Sequence, residues 1–320
     1  MWKYLLGFTI LFSTILGASE KLDNLWEYDK ITCLEKLDKA SDTQLWDVFL
    51  KGQAHLFFES ESLWLAKNPW WNSATNILDI GSGNGAFLYK LSKDFPIKVF
   101  LGIEKLPEFV EKANTQYASD ELVFWEGDAE VYDERLEASA DIVLFRLTLQ
   151  HLGNPIEALK NAAAYLKADG HVVIIDSFDN ARKSFPPIPS IDEAMLLVSE
   201  TQRSRSNGNR RISFEILQGI HSGTTELCNL YEVVFSSIDT QGDVICDSIR
   251  FAGDENRLRY FNHTLLLLTL FQRTYHIPVN LNKAYDELQG YICDENAWSC
   301  PGLHFLVLKK NPVPEKYRAI

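Results

Sequence analysis

The chain has 320 residues, of which 46% are hydrophobic and 23% are charged, as in an ordinary globular protein. This length accommodates one large domain, or one domain with a substantial addition. The formal net charge of −13 gives a surface that repels phosphate backbones, so the composition argues against DNA or RNA as a substrate.

The first 19 residues have the pattern of a secretory signal peptide. Lys3 supplies a positive charge, residues 5–16 are apolar and uncharged, and residues 17–19 are small enough for cleavage. The apolar stretch is short for a membrane span, so we expect export. An uncleaved membrane anchor and a cytoplasmic protein are the alternatives. A disulfide between Cys293 and Cys300 is compatible with export but does not decide the compartment.

Residues 20–70 are predicted to be helical, because large apolar side chains recur there at roughly helical spacing. They include Trp26, Leu37, Trp46, Phe49, Leu50 and Trp64. Some of these side chains are candidates for lining a covered substrate cavity, although packing against the sheet is the simpler explanation for any one of them.

Residues 76–87 predict a buried strand, a glycine turn and the first turn of a helix. Gly81, Gly83 and Gly85 stand at alternate positions, where they let the backbone approach a ligand closely. The helix expected to begin near Ala86 directs its amide groups to the same place. This arrangement is typical of a site for a nucleoside-bearing cofactor, and it also satisfies the dinucleotide fingerprint G-x-G-x-x-G/A.

Carboxylates at fixed places after the predicted strands narrow the choice of cofactor. Asp79 lies two residues before the first glycine, and Glu104 ends a second apolar strand at residues 98–104. A carboxylate in the position of Glu104 can accept hydrogen bonds from both ribose hydroxyls of a nucleoside, although it could equally be a solvated strand end. Asp128 follows the strand at residues 122–125, where the alternative is an ordinary turn.

Together with the strand and loop at residues 141–152, these motifs resemble the class I S-adenosylmethionine (SAM) dependent methyltransferases over about residues 76–178. The resemblance implies that Asp79 lies near the methionine end of SAM and that Asp128 accepts from the adenine amino group. The cofactor-binding set that it implies is Asp79, Gly81, Ser82, Gly83, Gly85, Glu104, Lys105, Asp128, Ala129 and Arg146.

The resemblance also implies the fold class, a Rossmann-like, doubly wound α/β sheet of seven strands with an antiparallel last strand. A helix is expected from Ile156 to Lys167, with a glycine stop at Gly170. The later elements are expected to be a strand at 171–176, helices at 191–205 and 212–221, a strand at 230–238, helices at 254–275 and 282–292, and a strand at 304–309.

We therefore divide the chain into four parts. They are a signal peptide or anchor at 1–19, a helical segment at 20–70, the SAM-binding core at 71–178, and a substrate-side region at 179–320. Within the last part, residues 240–302 are expected to form a helical insertion that caps the substrate site.

His151 is the candidate general base, because it follows the fourth strand and its ordinary pKa suits proton transfer near neutral pH. The alternative is a histidine that orders the loop or packs beside the cofactor. Arg146 is a candidate for contact with the methionine carboxylate, or for a surface ion pair. No cysteine and histidine set has the spacing of a zinc site, so no metal is expected.

The resemblance implies an enzyme that transfers a methyl group from SAM to a small or medium-sized organic acceptor. A protein methyltransferase and a non-catalytic SAM-binding protein on the same fold are the alternatives. An NAD(P)-dependent oxidoreductase is a further one, against which Asp79 and Asp128 argue. The arginines at 203, 205, 210 and 211 are expected on a solvated loop rather than at a phosphate site. The sequence gives neither the acceptor nor the oligomeric state.

Overall fold

The computed structural model describes residues 22–205, 208–237 and 253–312. The segment expected to be a signal peptide or anchor, residues 1–19, lies outside the described residues. Within the described ranges, no helix combines the length and apolar character needed to cross a membrane.

Helices and strands alternate through the middle of the chain. The α-helices are α1 (Lys30–Lys39), α2 (Asp42–Ala66), α3 (Pro69–Ser73), α4 (Ala86–Asp94), α5 (Pro107–Tyr117), α6 (Pro155–Tyr165), α7 (Pro189–Arg205), α8 (Ile212–Ser222), α9 (Leu227–Leu230), α10 (Asp254–Tyr275) and α11 (Leu281–Cys293). The strands are β1 (Asn76–Ile80), β2 (Val99–Glu104), β3 (Leu122–Glu126), β4 (Ala140–Arg146), β5 (Leu166–Ser177), β6 (Lys183–Phe185), β7 (Tyr231–Ser236), β8 (Trp298–Cys300) and β9 (Leu303–Lys310).

Seven of these strands form one sheet in the order β3-β2-β1-β4-β5-β9-β7. Strands β1 to β5 pair in parallel, whereas β9 is antiparallel to both β5 and β7. The predicted doubly wound sheet with an antiparallel last strand is therefore confirmed. The strand order reverses between β1 and β4, and ligands of such sheets bind outside the carboxyl ends of the strands at that point.

Local sequence explains where the central helices begin. Helix α4 begins at Ala86, directly after Gly85, whose φ of 78° places it in the left-handed region. Helix α6 begins at Pro155, and the side chain of Asn154 caps it by accepting a hydrogen bond from the Glu157 amide. The start at Ala86 is the one predicted from the sequence, and the start at Pro155 lies one residue before the predicted Ile156.

The end of α6 differs from the prediction. The helix ends at Tyr165, and the expected extension to Lys167 with a stop at Gly170 is wrong. Strand β5 begins at Leu166, which pairs with the first residue of β4, and Gly170 lies inside that strand. A positive φ of 61° at Asp169 accompanies the irregular pairing before the regular register resumes. Pairing with β4 thus overrides the helical pattern of the last residues.

The described chain divides into two compact units. The helical unit contains residues 22–56, 184–201 and 253–299, and the sheet unit contains residues 57–183, 202–205, 208–237 and 300–312. Helix α2 passes from the first unit into the second, so this division differs from the predicted boundary at residue 70. The four-part division of the chain stays a prediction.

The helical unit includes the insertion expected before the last strand. Helix α10 has the predicted bounds, Asp254–Tyr275, and α11 follows it. Asn262 of α10 accepts from the Leu25 amide at 2.9 Å and donates to the Leu22 carbonyl at 3.0 Å. Because its side chain is buried in these bonds, Asn262 is a poor glycosylation acceptor in the folded protein, although it stands in a sequon. The capping role of the insertion stays a prediction.

No disulfide joins two of the described cysteines, which are Cys33, Cys228, Cys293 and Cys300. The disulfide that the sequence allows between Cys293 and Cys300 is therefore not formed in this structure. The cysteines leave the compartment undecided.

Candidate functional site

The predicted cofactor residues lie at the carboxyl end of the sheet, within the sheet unit. Asp79 is the next-to-last residue of β1, Glu104 ends β2 and Arg146 ends β4. In the parallel register, Asp79 stands beside Gly102 of β2 and Leu144 of β4. The fold therefore gathers at one edge three side chains that are far apart in the sequence.

The turn after β1 can be formed only by glycine at two positions. Gly81 has a φ of 79°, and a Cβ atom there would come within 2.4 Å of Thr148 Cγ2. Gly85 has a φ of 78°, and a Cβ atom there would come within 2.7 Å of the Phe124 ring. The Gly81 amide donates to the Ile103 carbonyl at 2.8 Å, which fastens the turn to β2. The turn thus presents backbone rather than side chains at the edge of the sheet.

Asp79 is a buried carboxylate that the protein does not fully satisfy. Its side chain is 3% exposed, and its Oδ1 atom has no hydrogen-bond donor in the described part of the chain. Burial raises the pKa of Asp79 to about 7, against the attraction of the Arg146 guanidinium, and the negative charge of Glu104 adds to the shift. A buried oxygen without a donor is costly, so the geometry favours a ligand that supplies one.

Ser82, in the glycine turn, has a second unsatisfied group. Its Oγ atom is buried and has no hydrogen-bond partner among the residues described. A Cβ atom on Gly102 would lie 2.7 Å from this hydroxyl, so the glycine in β2 leaves room for it. Two polar groups that lack partners therefore flank the same turn.

Glu104 is held in a fixed orientation by the backbone. Its Oε2 atom accepts from the Gly83 amide and its Oε1 atom from the Leu106 amide, each at 2.9 Å. Each carboxylate oxygen retains acceptor capacity for a further donor. Glu104 is thus oriented beside the glycine turn, and its contact with a ribose stays a prediction.

Asp128 lies in the loop after β3 and pairs with Lys105. The Lys105 ammonium is 2.7 Å from Asp128 Oδ2, and the Glu130 amide donates to Oδ1 at 3.0 Å. The bond from Lys105, and then the one from the backbone, hold the pKa of Asp128 below its usual value. Asp128 is therefore ionised at neutral pH, a form that can accept a hydrogen bond from an adenine amino group.

A cavity of about 520 Å³ opens beside Asp128 and Ala129. Its other walls include Ile80, Ile103, Leu136, Tyr132 and Tyr165. The rings of Tyr132 and Tyr165 stack with their centroids 5.8 Å apart. Asp128, which is predicted to accept from adenine, and Ala129 of the predicted cofactor-binding set thus border a largely apolar space that suits a planar ring.

Arg146 has a buried partner that the sequence did not reveal. Its Nε atom lies 3.0 and 2.8 Å from the two carboxylate oxygens of Glu61, and the side chains are 7% and 0% exposed. The guanidinium carbon also lies 4.1 Å from the centroid of the Phe87 ring. A surface ion pair, one of the two expectations for Arg146, is therefore wrong. The sequence did contain one indication of this pair, because Glu61 stands among the apolar residues of α2.

His151 ends a short 3₁₀ turn, Leu149–His151, directly after β4. Its side chain has solvent access. The surrounding protein nevertheless removes part of its hydration, and this desolvation, together with the positive charge of Arg210, lowers its pKa to about 4. The ring is therefore neutral at pH 7. This form can accept a proton, but the low pKa makes His151 a weak base, and its catalytic role stays a prediction.

Two charged residues near this turn were not predicted to belong to the site. Asp176, near the end of β5, is fully buried and accepts from the Gln150 amide at 3.1 Å. Arg210 is 7% exposed and binds Asp179 through two nitrogens, at 2.6 and 2.8 Å. The expectation that Arg210 lies on a solvated loop is therefore wrong.

Sequence comparison gives one family match and several relatives. A family model described as a methyltransferase domain matches residues 72–241, more than half of the chain. A ubiquinone biosynthesis O-methyltransferase of Vibrio campbellii is 23% identical over 124 residues, which are 39% of this chain and 53% of that protein. One from Aliivibrio fischeri is 24% identical over 122 residues, 38% of this chain and 52% of that protein. The chain thus spans about half the length of the curated relatives it matches.

Comparison with solved structures gives matches of low identity. The plantazolicin methyltransferase BpumL in complex with SAH is 17% identical, with 95% of this chain and 100% of that chain covered and a TM-score of 0.47. The YcgJ protein from Bacillus subtilis is 16% identical, with 80% and 99% covered and a TM-score of 0.45. The assignment of the fold rests on the strand order and pairing described above.

Proposed function

Because this chain belongs to the methyltransferase-domain family, we propose that it transfers a methyl group from SAM to a small or medium-sized organic acceptor. The observation that carries the proposal is Asp79 beside the glycine turn. A buried carboxylate oxygen without a donor suits a cofactor that brings both positive charge and N–H groups.

The residues at the carboxyl end of the sheet suit SAM. Asp79 and Ser82 have buried polar atoms for the methionine end, and Glu104 is oriented for the ribose. Asp128 and Ala129 border the cavity proposed for adenine. When bound, SAM supplies an activated methyl group on a good leaving group, so in-line positioning of the acceptor accounts for most of the catalysis.

The charges around Asp79 also favour this cofactor. The negative charges of Glu104 and Glu61 raise the pKa of Asp79, and the positive charge of Arg146 lowers it. An excess of negative charge attracts a ligand with a sulfonium and an ammonium group. Arg146 is held by Glu61, so its contact with the methionine carboxylate would have to use the remaining guanidinium nitrogens.

The acceptor class follows from the relatives and from His151. The curated relatives are named as ubiquinone biosynthesis O-methyltransferases, which makes hydroxyl groups the first class of acceptor to test. A hydroxyl acceptor must lose a proton, and His151 is the group that we propose receives it. Export of the protein is a separate proposal, which rests on the sequence of residues 1–19 alone.

Binding and turnover together test the function. Calorimetric titration with SAM should give saturable binding, and titration with NAD should give none. Labelled SAM should then transfer its methyl group to at least one member of a panel of phenols, amines, carboxylates and peptides. Saturable NAD binding without SAM binding would contradict the proposal. SAM binding without any methyl transfer would favour a non-catalytic SAM-binding protein, and transfer to peptides alone a protein methyltransferase.

A further inference from the structure

The turn that follows β4 carries backbone strain. Leu147 has a φ of 54°, a left-handed conformation that is costly for a leucine. Its amide donates to the Ile175 carbonyl of β5 at 2.7 Å, and the His151 amide closes the turn on the Thr148 carbonyl at 2.9 Å. A strained turn persists only when the surrounding structure holds it in place. The contacts that hold this turn therefore determine the positions of its residues at the carboxyl end of the sheet.

Two contacts on Gln150 provide that restraint. Its amide donates to Asp176 Oδ2 at 3.1 Å, and its carbonyl accepts from the Asn209 amide at 2.9 Å. The second oxygen of Asp176 accepts from the Ser177 amide at 2.8 Å. A Cβ atom on Gly208 would lie 2.5 Å from the Gln150 carbonyl oxygen, which shows how closely the chain packs there.

The turn also touches the candidate cofactor site. The Thr148 hydroxyl lies 3.5 Å from the Gly81 carbonyl, and its methyl group fills the space that a Cβ atom on Gly81 would need. His151 stands at the other end of the same turn. A displacement of Gln150 would therefore move the groups at both ends of this turn.

We propose that Asp176 is a positioning residue for methyl transfer, whose carboxylate fixes residues 147–151 through the Gln150 amide. It thereby sets Thr148 against Gly81 and sets the orientation of His151. The inference rests on the proposed function and assigns no contact between Asp176 and cofactor or substrate.

The cost of burying Asp176 supports this role. Burial raises its pKa to about 7, although both backbone amides and the Arg210 guanidinium favour the charged form, and the charge of Asp179 adds to the rise. The bonds that Asp176 makes therefore do not offset the loss of its hydration. Burial of this carboxylate reduces the stability of the fold. Its presence is therefore better explained by the placement of the turn than by stability.

Asp176→Asn tests the proposal, with Asp141→Asn as its matched control. Asparagine has one oxygen for two amides, so its NH₂ group must face either the Gln150 or the Ser177 amide. We expect hydrogen exchange at the Gln150 amide to become at least about tenfold faster than the change in global stability explains. Asp141 also binds backbone amides but lies at the opposite end of the sheet, so its variant should leave Gln150 unchanged.

The titration of His151 gives a second measurement that needs neither substrate nor turnover. In the wild-type protein the ring should titrate near pH 4, as followed by NMR with the signal assigned through His151→Gln. Asp176, whose pKa is raised to about 7, is already protonated in the pH range where His151 titrates, so its replacement by asparagine removes no charge there. Release of the turn should instead raise the pKa of His151 toward 6.5. We expect the rise in Asp176→Asn and no change in Asp141→Asn.

Two results would overturn the inference. They are Gln150 exchange in a folded Asp176→Asn protein that merely follows global stability, and a His151 pKa that stays low or falls. SAM titration separates this failure from that of the proposed function. A wild-type protein that binds no SAM refutes the function, whereas the exchange and NMR measurements still report on the turn.

Discussion

The two ends of the sheet hold carboxylates in opposite states. At the amino end, Asp141 accepts from the Thr75 amide and hydroxyl at 3.0 and 2.9 Å, and from the Asn76 amide and Lys167 ammonium at 2.9 Å each. Partial burial raises its pKa, but these bonds outweigh burial and bring it to about 2. At the carboxyl end, Asp79 keeps an oxygen without a donor and a pKa near 7.

The difference between Asp141 and Asp79 shows which carboxylates stabilise the fold and which are available for ligand binding. A carboxylate that the protein satisfies completely contributes to the free energy of unfolding. One that the protein leaves partly unsatisfied reduces that free energy and is available to a ligand. We therefore expect substitutions at the amino end to change stability alone, and substitution of Asp79 to change the affinity for SAM.

The Arg146–Glu61 pair gives the largest expected effect, because its carboxylate lies at the ligand end of the sheet yet is bonded within the protein. Glu61→Gln removes the charge that is paired with the buried Arg146 guanidinium, and we expect a loss of about 3–5 kcal/mol in the free energy of unfolding. Denaturant unfolding measures it. Glu59→Gln, an exposed change on the same helix, should cost little. Equal stability of the two variants would show that the pair is not structural.

Asp141→Asn sharpens the comparison at the amino end. By linkage, its lowered pKa corresponds to about 2 kcal/mol of stability. This stability is present above pH 4 and is lost as pH falls through about 2, because the folded state then has to bind a proton. Denaturant unfolding at pH 7 should show the loss, and the difference between variant and wild type should shrink on acidification. A difference that does not depend on pH would contradict the assignment.

The pH dependence of SAM affinity gives the smallest expected effect. Because Asp79 has a raised pKa, the folded protein without ligand carries a proton there below about pH 7. A cationic ligand favours the ionised form, so SAM should bind about tenfold more weakly at pH 6 than at pH 8. Binding near pH 6.5 should release a proton, which calorimetry in buffers of different ionisation enthalpy detects. In Asp79→Asn this release should disappear, and its persistence there would assign the proton to another group.

Much of the site could be predicted because its signals are local in sequence. The glycine turn, Asp79 before it and Glu104 at the end of the next strand depend on spacing that a strand and a turn impose. The partners of these residues come from distant segments, and no periodicity joins Glu61 to Arg146 or Asp176 to the Gln150 amide. The early start of β5 at Leu166 was missed for the same reason, since it depends on pairing with β4.

Titration of SAM into Asp79→Asn and Asp141→Asn tests the central claim most directly. The account predicts that Asp79→Asn weakens SAM affinity by roughly 1–3 kcal/mol, the cost of losing a hydrogen bond to a charged group, without lowering stability at pH 8. Asp141→Asn should lower stability and leave the affinity unchanged. Equal SAM affinity in the wild-type and Asp79→Asn proteins, both folded, would contradict the placement of the cofactor at this end of the sheet.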